Sequence, residues 1–199
     1  DGKAREQLVI NGTGLPTPAR IYNHIVLPKA RLRAGKNVVT ARFRSAVGAT
    51  GTPLTRYADD TDGADYLYTL VVPADMHRMM PCFDQPDCRG SIRWLLEAPE
   101  SWRTVCNTPR EVLGEMQGDS PIAVLAASMG HESLPDSLRA HRASRPLPTY
   151  LMAFAAGPVE VIEDTSEAGP PMRLFLRKSK LDIADPDLLL RMHRQSVDW

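Results

Sequence analysis

The chain has 199 residues, 43% of them hydrophobic, and its 24 Lys and Arg are matched by 24 Asp and Glu. That length holds one large all-β domain or two small ones, and the balanced charge leaves no basic field for nucleic acid or anionic lipid. The most apolar stretch, residues 147–161, is interrupted by Pro148, Gly157 and Pro158, which excludes a membrane-spanning helix of about twenty residues there.

The first residues, DGKAREQL, contain neither an initiator Met nor the apolar run of a signal peptide, so the natural N-terminus is expected to lie upstream. From there, period-two alternation or β-branched enrichment predicts strands over residues 21–27, 37–44, 66–72, 91–97 and 122–128. Turn signals separate them at Asn11-Gly12, Ala34-Gly35, Asp62-Gly63, Pro86-Asp87 and Gln117-Gly118-Asp119. Residues 48–63 and 130–148 read as the two long loops. TYLMAFAAGPVEVIED then reads as two strands hinged at Gly157-Pro158, because Pro158 cannot donate to a ladder and Gly157 permits a sharp bend. MRLFLRKS follows as a further alternating strand. Seventeen Pro and thirteen Gly, mostly between these runs, suit many short strands better than long helices. The one predicted helix is C-terminal: Asp185 caps it, Pro186 occupies its first position, and Leu188, Met192 and Gln195 recur at i, i+4, i+7. A helix opening there is expected to lead onward into further chain.

The chemistry-bearing residues are sparse. His24, His77, His131, His141 and His193 never form the two-His-and-Glu pattern of a hydrolytic zinc site, and His131-Glu132-Ser133-Leu134-Pro135 has Pro where a second His would stand. Nucleophile elbows, Walker loops and dinucleotide loops are absent. Cys82, Cys88 and Cys106 lack paired metal-site spacing and read as plain thiols, with a disulfide between Cys82 and Cys88 left open. The acidic groups Asp59-Asp60 with Asp62 and Glu163-Asp164 read as turn residues that bind nearby backbone, and DDTDGADY begins a calcium loop without its closing Glu. The densest motif, PCFDQPDCRG, specifies a rigid connection, since each Pro fixes φ while Asp84 and Asp87 can accept backbone amides.

That motif and its setting resemble the N-terminal domain of the aminopeptidase N-like zinc metallopeptidases, the gluzincin aminopeptidases. The family pattern of a Y-x-Y-T strand, a P-x-D turn, PCFDQPD and a P-x-x-W segment ending in Asn is matched by Tyr66-Leu67-Tyr68-Thr69, Pro73-Ala74-Asp75, Pro81 to Asp87, and Pro99-Glu100-Ser101-Trp102 with Asn107. PLTRYADDTDGADYLYT upstream and PTYLMAFAAGPVEVIED downstream resemble further family stretches in the same order. The resemblance implies a mainly β fold: a curved, antiparallel, sandwich- or saddle-like domain over residues 1–183 with a short helical turn near 74–79. Residues 184–199 would form a helix leading toward a catalytic domain beyond the chain. It implies a supporting, non-catalytic role, with zinc and the G-x-M-E-N and H-E-x-x-H motifs belonging to that catalytic domain of the same polypeptide and a peptide as substrate of the whole. Where relatives present Gln and Glu or Gln to a substrate's α-amine, this sequence has Leu70 and Val72. These are therefore the expected substrate-facing positions, able to offer apolar contact alone. A β interaction module of a non-catalytic relative, or a free-standing binding sandwich, is the alternative.

Overall fold

The computed structural model describes residues 7–15, 18–111, 121–132, 135–164 and 169–197. The expected turn at Gln117-Gly118-Asp119 lies outside them, as do Ser133 and Leu134 of the His131 to Pro135 stretch.

The chain is mainly β, with every named strand pair antiparallel. Strand β1 (Gln7–Ile10) turns through Asn11-Gly12 into β2 (Thr13–Leu15). Both turn residues have positive φ, 51° and 81°, the geometry that makes Asn-Gly the preferred two-residue hairpin loop. The Asn11 side chain also donates to the Arg31 carbonyl and to Asn37 Oδ1, and accepts the Val38 amide. β3 (Arg20–Ile21) and β4 (His24–Ile25) form a second, very short hairpin. The single strand expected over 21–27 is thus split, because Tyr22 adopts φ 52° and reverses the chain. β5 (Val39–Arg42) returns to pair with β1.

The main sheet has the order β10-β13-β7-β6. β6 (Leu54–Asp59) and β7 (Ala64–Thr69) form its long hairpin, closed by the Gly63 amide donating to the Asp59 carbonyl. The strand expected over 66–72 therefore starts earlier and stops at Thr69. Beyond it, the Asp75 amide bonds the Val71 carbonyl, and the chain enters a 3-10 turn at Met76–Arg78, inside the helical turn expected near 74–79. β8 (Arg89–Gly90), β9 (Leu95–Glu97) and β10 (Arg103–Cys106) follow. The expected strand at 91–97 is confined to its last three residues.

Residues 122–128 are not a strand. They lie in helix α1 (Pro121–Ser128). The run Ile-Ala-Val-Leu-Ala-Ala is continuously apolar, so alternation could not identify it, and Ala and Leu favour the helix. Its spacing is informative in hindsight: Ala123 and Ala126, three apart, are buried, while Val124 and Leu125 are exposed.

β11 (Leu138–Ala140) pairs with β9 and β12 (Leu147–Pro148) with β8. β13 (Phe154–Gly157) inserts between β10 and β7. The bend at Pro158 separates β13 from β14 (Glu160–Glu163), the two strands that the hinge reading expects, and β14 pairs with β15 (Arg173–Leu176). Helix α2 (Pro186–Val197) ends the described chain, its Leu188 amide capped by Asp185 Oδ1 at 2.9 Å.

The core beside the main sheet consists of Val71, Met76, Met79 and Met152, backed by Leu54, Cys82, Ile92, Leu147 and Phe154. Trp94 meets Phe154 edge-on with centroids 5.1 Å apart. Among the described residues no helix is long and apolar enough to cross a membrane.

Candidate functional site

Leu70 and Val72 follow β7 directly. The Leu70 amide still donates to the Pro53 carbonyl at 2.8 Å, so the extended course outlasts the strand by one residue. Alternation then decides which side chains face out. Val71 is 3% exposed in the methionine core, whereas Leu70 and Val72 are 46% and 59% exposed. The structure thus sets the two expected positions on one exposed edge, with their neighbour as the anchor.

The anchor is held from below by the Pro81 to Gly90 loop. Asp84, its side chain 7% exposed, accepts the His77 amide at 2.9 Å, the His77 ring at Nδ1 at 2.8 Å and the Thr149 hydroxyl at 2.5 Å. Burial alone would raise its carboxyl pKa, but these donors together hold it below the ordinary carboxylate value. Asp84 therefore bonds outward, to the preceding 3-10 turn and to a distant segment, not to amides of its own loop. The loop reverses instead through the Cys88 amide to the Gln85 carbonyl, which places the expected turn at Pro86-Asp87. His77 is accounted for by the same contact.

The other acidic cluster has a comparable job. Asp59 Oδ2 accepts Ser179 Oγ at 2.6 Å and Arg177 Nη1 at 2.7 Å, while Asp62 Oδ2 accepts the Tyr66 hydroxyl at 2.6 Å. The Thr61 and Ala64 amides bond Asp59 Oδ1 and Asp62 Oδ1 at 3.0 and 2.9 Å, as expected of acids at a turn. Hydrogen bonds, from Ser179 and Tyr66 first, hold both carboxyls below their usual range. Burial, helped by the bond to Asp62, pushes the Tyr66 hydroxyl up to about 12. Asp164, of the second acidic pair, binds Arg194 on α2.

Along the face of β7 lies a cavity of about 460 Å³, lined among others by Tyr57, Tyr66, Tyr68, Arg103, Phe175 and Arg177. The Arg177 guanidinium sits 4.5 Å from the Tyr57 ring centre and 6.0 Å from that of Tyr66. Sequence reasoning passed over this cavity. The signal was the alternation of MRLFLRKS, which sends Phe175 and Arg177 to one side.

Cys82, Cys88 and Cys106 are free thiols. Burial pushes the pKa of Cys82 up to about 11 and that of Cys106 up to about 12, so neither is an activated nucleophile. Among the described residues no three His, Cys, Asp or Glu side chains are placed to hold a metal ion. The arrangement at Leu70 and Val72 supplies an exposed apolar edge.

No protein-family profile matches the chain. Its curated relatives are M1 aminopeptidases. Aminopeptidase N of Streptomyces lividans is 24% identical over 196 residues, 97% of this chain and 20% of that protein. Probable M1 family aminopeptidase 1 of Encephalitozoon cuniculi is 28% identical over 159 residues, 79% of this chain and 16% of that protein. Glutamyl aminopeptidase of Rattus norvegicus is 23% identical over 131 residues, 66% and 12% of the two chains. The chain is aminopeptidase N-like over most of its length, and it spans a fifth or less of these relatives.

Proposed function

We propose that the chain is the N-terminal β domain of a zinc aminopeptidase, residues 1–183 forming the domain and the helix at 184–199 leading to a catalytic domain in the same polypeptide. The observation that carries this reading is the match to Aminopeptidase N, which takes in 97% of the chain but 20% of the relative. In this reading zinc, the activated water and the groups that bind a substrate's amino terminus all belong to the rest of the polypeptide, which releases N-terminal amino acids from peptides. The domain packs on that catalytic part and helps close its site. Leu70 and Val72 stand at the closing edge and touch an apolar substrate side chain, since neither can accept a hydrogen bond from an amine.

Two measurements test it. The isolated chain, supplied with zinc and an aminoacyl p-nitroanilide, is expected to give no turnover. Hydrolysis that follows the chain through purification would sink the proposal. The parent open reading frame is expected to encode H-E-x-x-H beyond this region. If that motif is missing there, the second reading holds, an interaction module of a non-catalytic relative, which the apolar pair at 70 and 72 favours.

A further inference from the structure

The main sheet has two unlike faces. Phe154 packs on the methionine core, so its neighbour Ala155 points to the opposite side. Register fixes what stands beside it: Val105 opposes Ala155 from β10, and Tyr68 opposes it from β7. Two residues further along β13, Arg103 opposes Gly157, and the Tyr66 ring lies against Gly157 and is itself paired with Tyr57 of β6. All of these line the cavity of about 460 Å³. The central strand thus brings its smallest residues where both neighbours bring large ones, which opens a trough along β13 between the tyrosines and the Val105 and Arg103 side.

That volume lies within the roughly 300–1,000 Å³ of small-molecule pockets, and the walls are mostly aromatic and aliphatic, with Phe175 added from β15. The two cations that line it differ. Arg177 is answered by Asp59 at 2.7 Å and sits 4.5 Å from the Tyr57 ring centre. The Arg103 side chain is exposed, and its guanidinium makes no ion pair or hydrogen bond among the described residues. No acidic side chain is among those that line the cavity. One unmatched positive charge beside an aromatic trough selects one negative charge on a flat apolar body, because rings pack against Tyr and Phe and a carboxylate accepts from a guanidinium fork.

We propose that this trough binds a small aromatic carboxylate, its rings lying on Ala155 beside Tyr68 and its carboxylate accepting from Arg103. Arg103 stands two residues along and one strand across from Ala155, roughly 7 Å and 5 Å in those directions, a span that a two-ring acid covers. A dianion would bring a second charge that Arg177, held by Asp59, is not free to meet. An aliphatic acid would forgo the ring contacts. The site shares no residue with the Leu70 edge, and its test does not depend on any aminopeptidase activity.

Titration of the isotope-labelled chain with 2-naphthoate, followed by amide chemical shifts, is expected to show saturable movement at Val105, Ala155 and Gly157, with β1 and β5 unmoved. 2-Naphthamide carries the same rings without the charge and should bind about threefold or more weakly, a comparison made on the wild type that no folding defect can confuse. Arg103→Gln, at an exposed side chain, should cost naphthoate the same factor and naphthamide nothing. Octanoate should bind more weakly than naphthoate. No saturable movement at those amides, a smaller difference between naphthoate and naphthamide, a smaller loss in Arg103→Gln, or octanoate matching naphthoate would each overturn the site. So would binding by the chain that disappears in the parent polypeptide, which would assign the trough to another segment of that polypeptide.

Discussion

Thr149 donates its hydroxyl to Asp84 at 2.5 Å, joining two segments 65 residues apart in sequence. Asp84 belongs to the Pro81 to Gly90 loop, and Thr149 opens the segment that becomes the central strand β13. Through His77 the same carboxylate also fixes the 3-10 turn below Leu70 and Val72. The local rigidity of one loop is thereby turned into the position of an edge.

Thr149→Val keeps the shape and removes this donor, leaving a nearly buried carboxylate oxygen unsatisfied. The expected loss is about 1–3 kcal/mol, read as a lower urea midpoint with an unchanged slope. Asp84 has a depressed pKa in the folded chain, so its contribution is present above the unfolded carboxyl value and is lost as pH falls through the lower folded value. Wild type and Thr149→Val should therefore converge in stability as the solution is acidified below the ordinary 3.8. A gap that stays constant into that range would show that the bond to Asp84 is not its source.

Asp59 makes the matching prediction at the other end of β7. It holds Ser179 and Arg177, 120 and 118 residues away, and so fixes the segment that leads to α2. Asp59→Asn should loosen that segment, read as faster amide exchange at Ser179 and Lys180, while exchange in β1 and β5 stays unchanged. The bond from Ser179 and the charge of Arg177 outweigh the effect of burial and lower the Asp59 pKa. The difference between variant and wild type is thus expected at neutral pH and should fade as the carboxyl protonates. Uniform exchange across the chain would mean that the acid does not act locally.

His141 adds a component of the same sign at higher pH, since its folded pKa also lies below the ordinary value. It is 1% exposed, its Nε2 lies 3.0 Å from Thr104 Oγ1 and its Nδ1 3.0 Å from the Thr108 carbonyl. Burial, with Arg110 and Arg173 nearby, lowers its folded pKa below 6.5. Below that ordinary value the unfolded chain takes up a proton that the folded chain refuses, so stability should fall as pH drops from 6.5 to the folded value and level off beneath it. His141→Gln should be less stable at neutral pH and should lack this component of the acid slope. An unchanged slope in the variant would assign it to the carboxylates.

How much of this was legible in the sequence follows from which physics each feature uses. Asn11-Gly12, the Gly157-Pro158 hinge and the Asp185 cap are local choices with local causes, and each stands where the residues placed it. α1 was misread as a strand because an unbroken apolar run carries no period, and its buried pair, Ala123 and Ala126, is visible only against a neighbour. The exposed edge at Leu70 and Val72 was reachable through alternation about Val71. Asp84 to Thr149 and Asp59 to Ser179 are contacts across tens of residues, and no spacing rule announces them.

Gly157 is where local and distant causes meet. The sequence marks it as a hinge residue, yet its backbone does not depend on a positive φ, and the structure supplies a different reason for its small size. A Cβ built there would lie 2.5 Å from Tyr66 Cδ1 and 3.3 Å from Cε1 and Cγ, inside the distance that carbon atoms tolerate. Tyr66 has no room to retreat, because its hydroxyl is bonded to Asp62 at 2.6 Å and its ring is buried beside Arg177. Gly157→Ala is therefore an overpacking change on the central strand, expected to cost about 1–3 kcal/mol and to lower the melting temperature. Tyr66→Leu removes the opposing ring, so the same Ala should cost markedly less in that background, a coupling that a double-mutant cycle by urea unfolding measures directly. An equal cost in both backgrounds would place the strain in the β13 backbone and not against Tyr66.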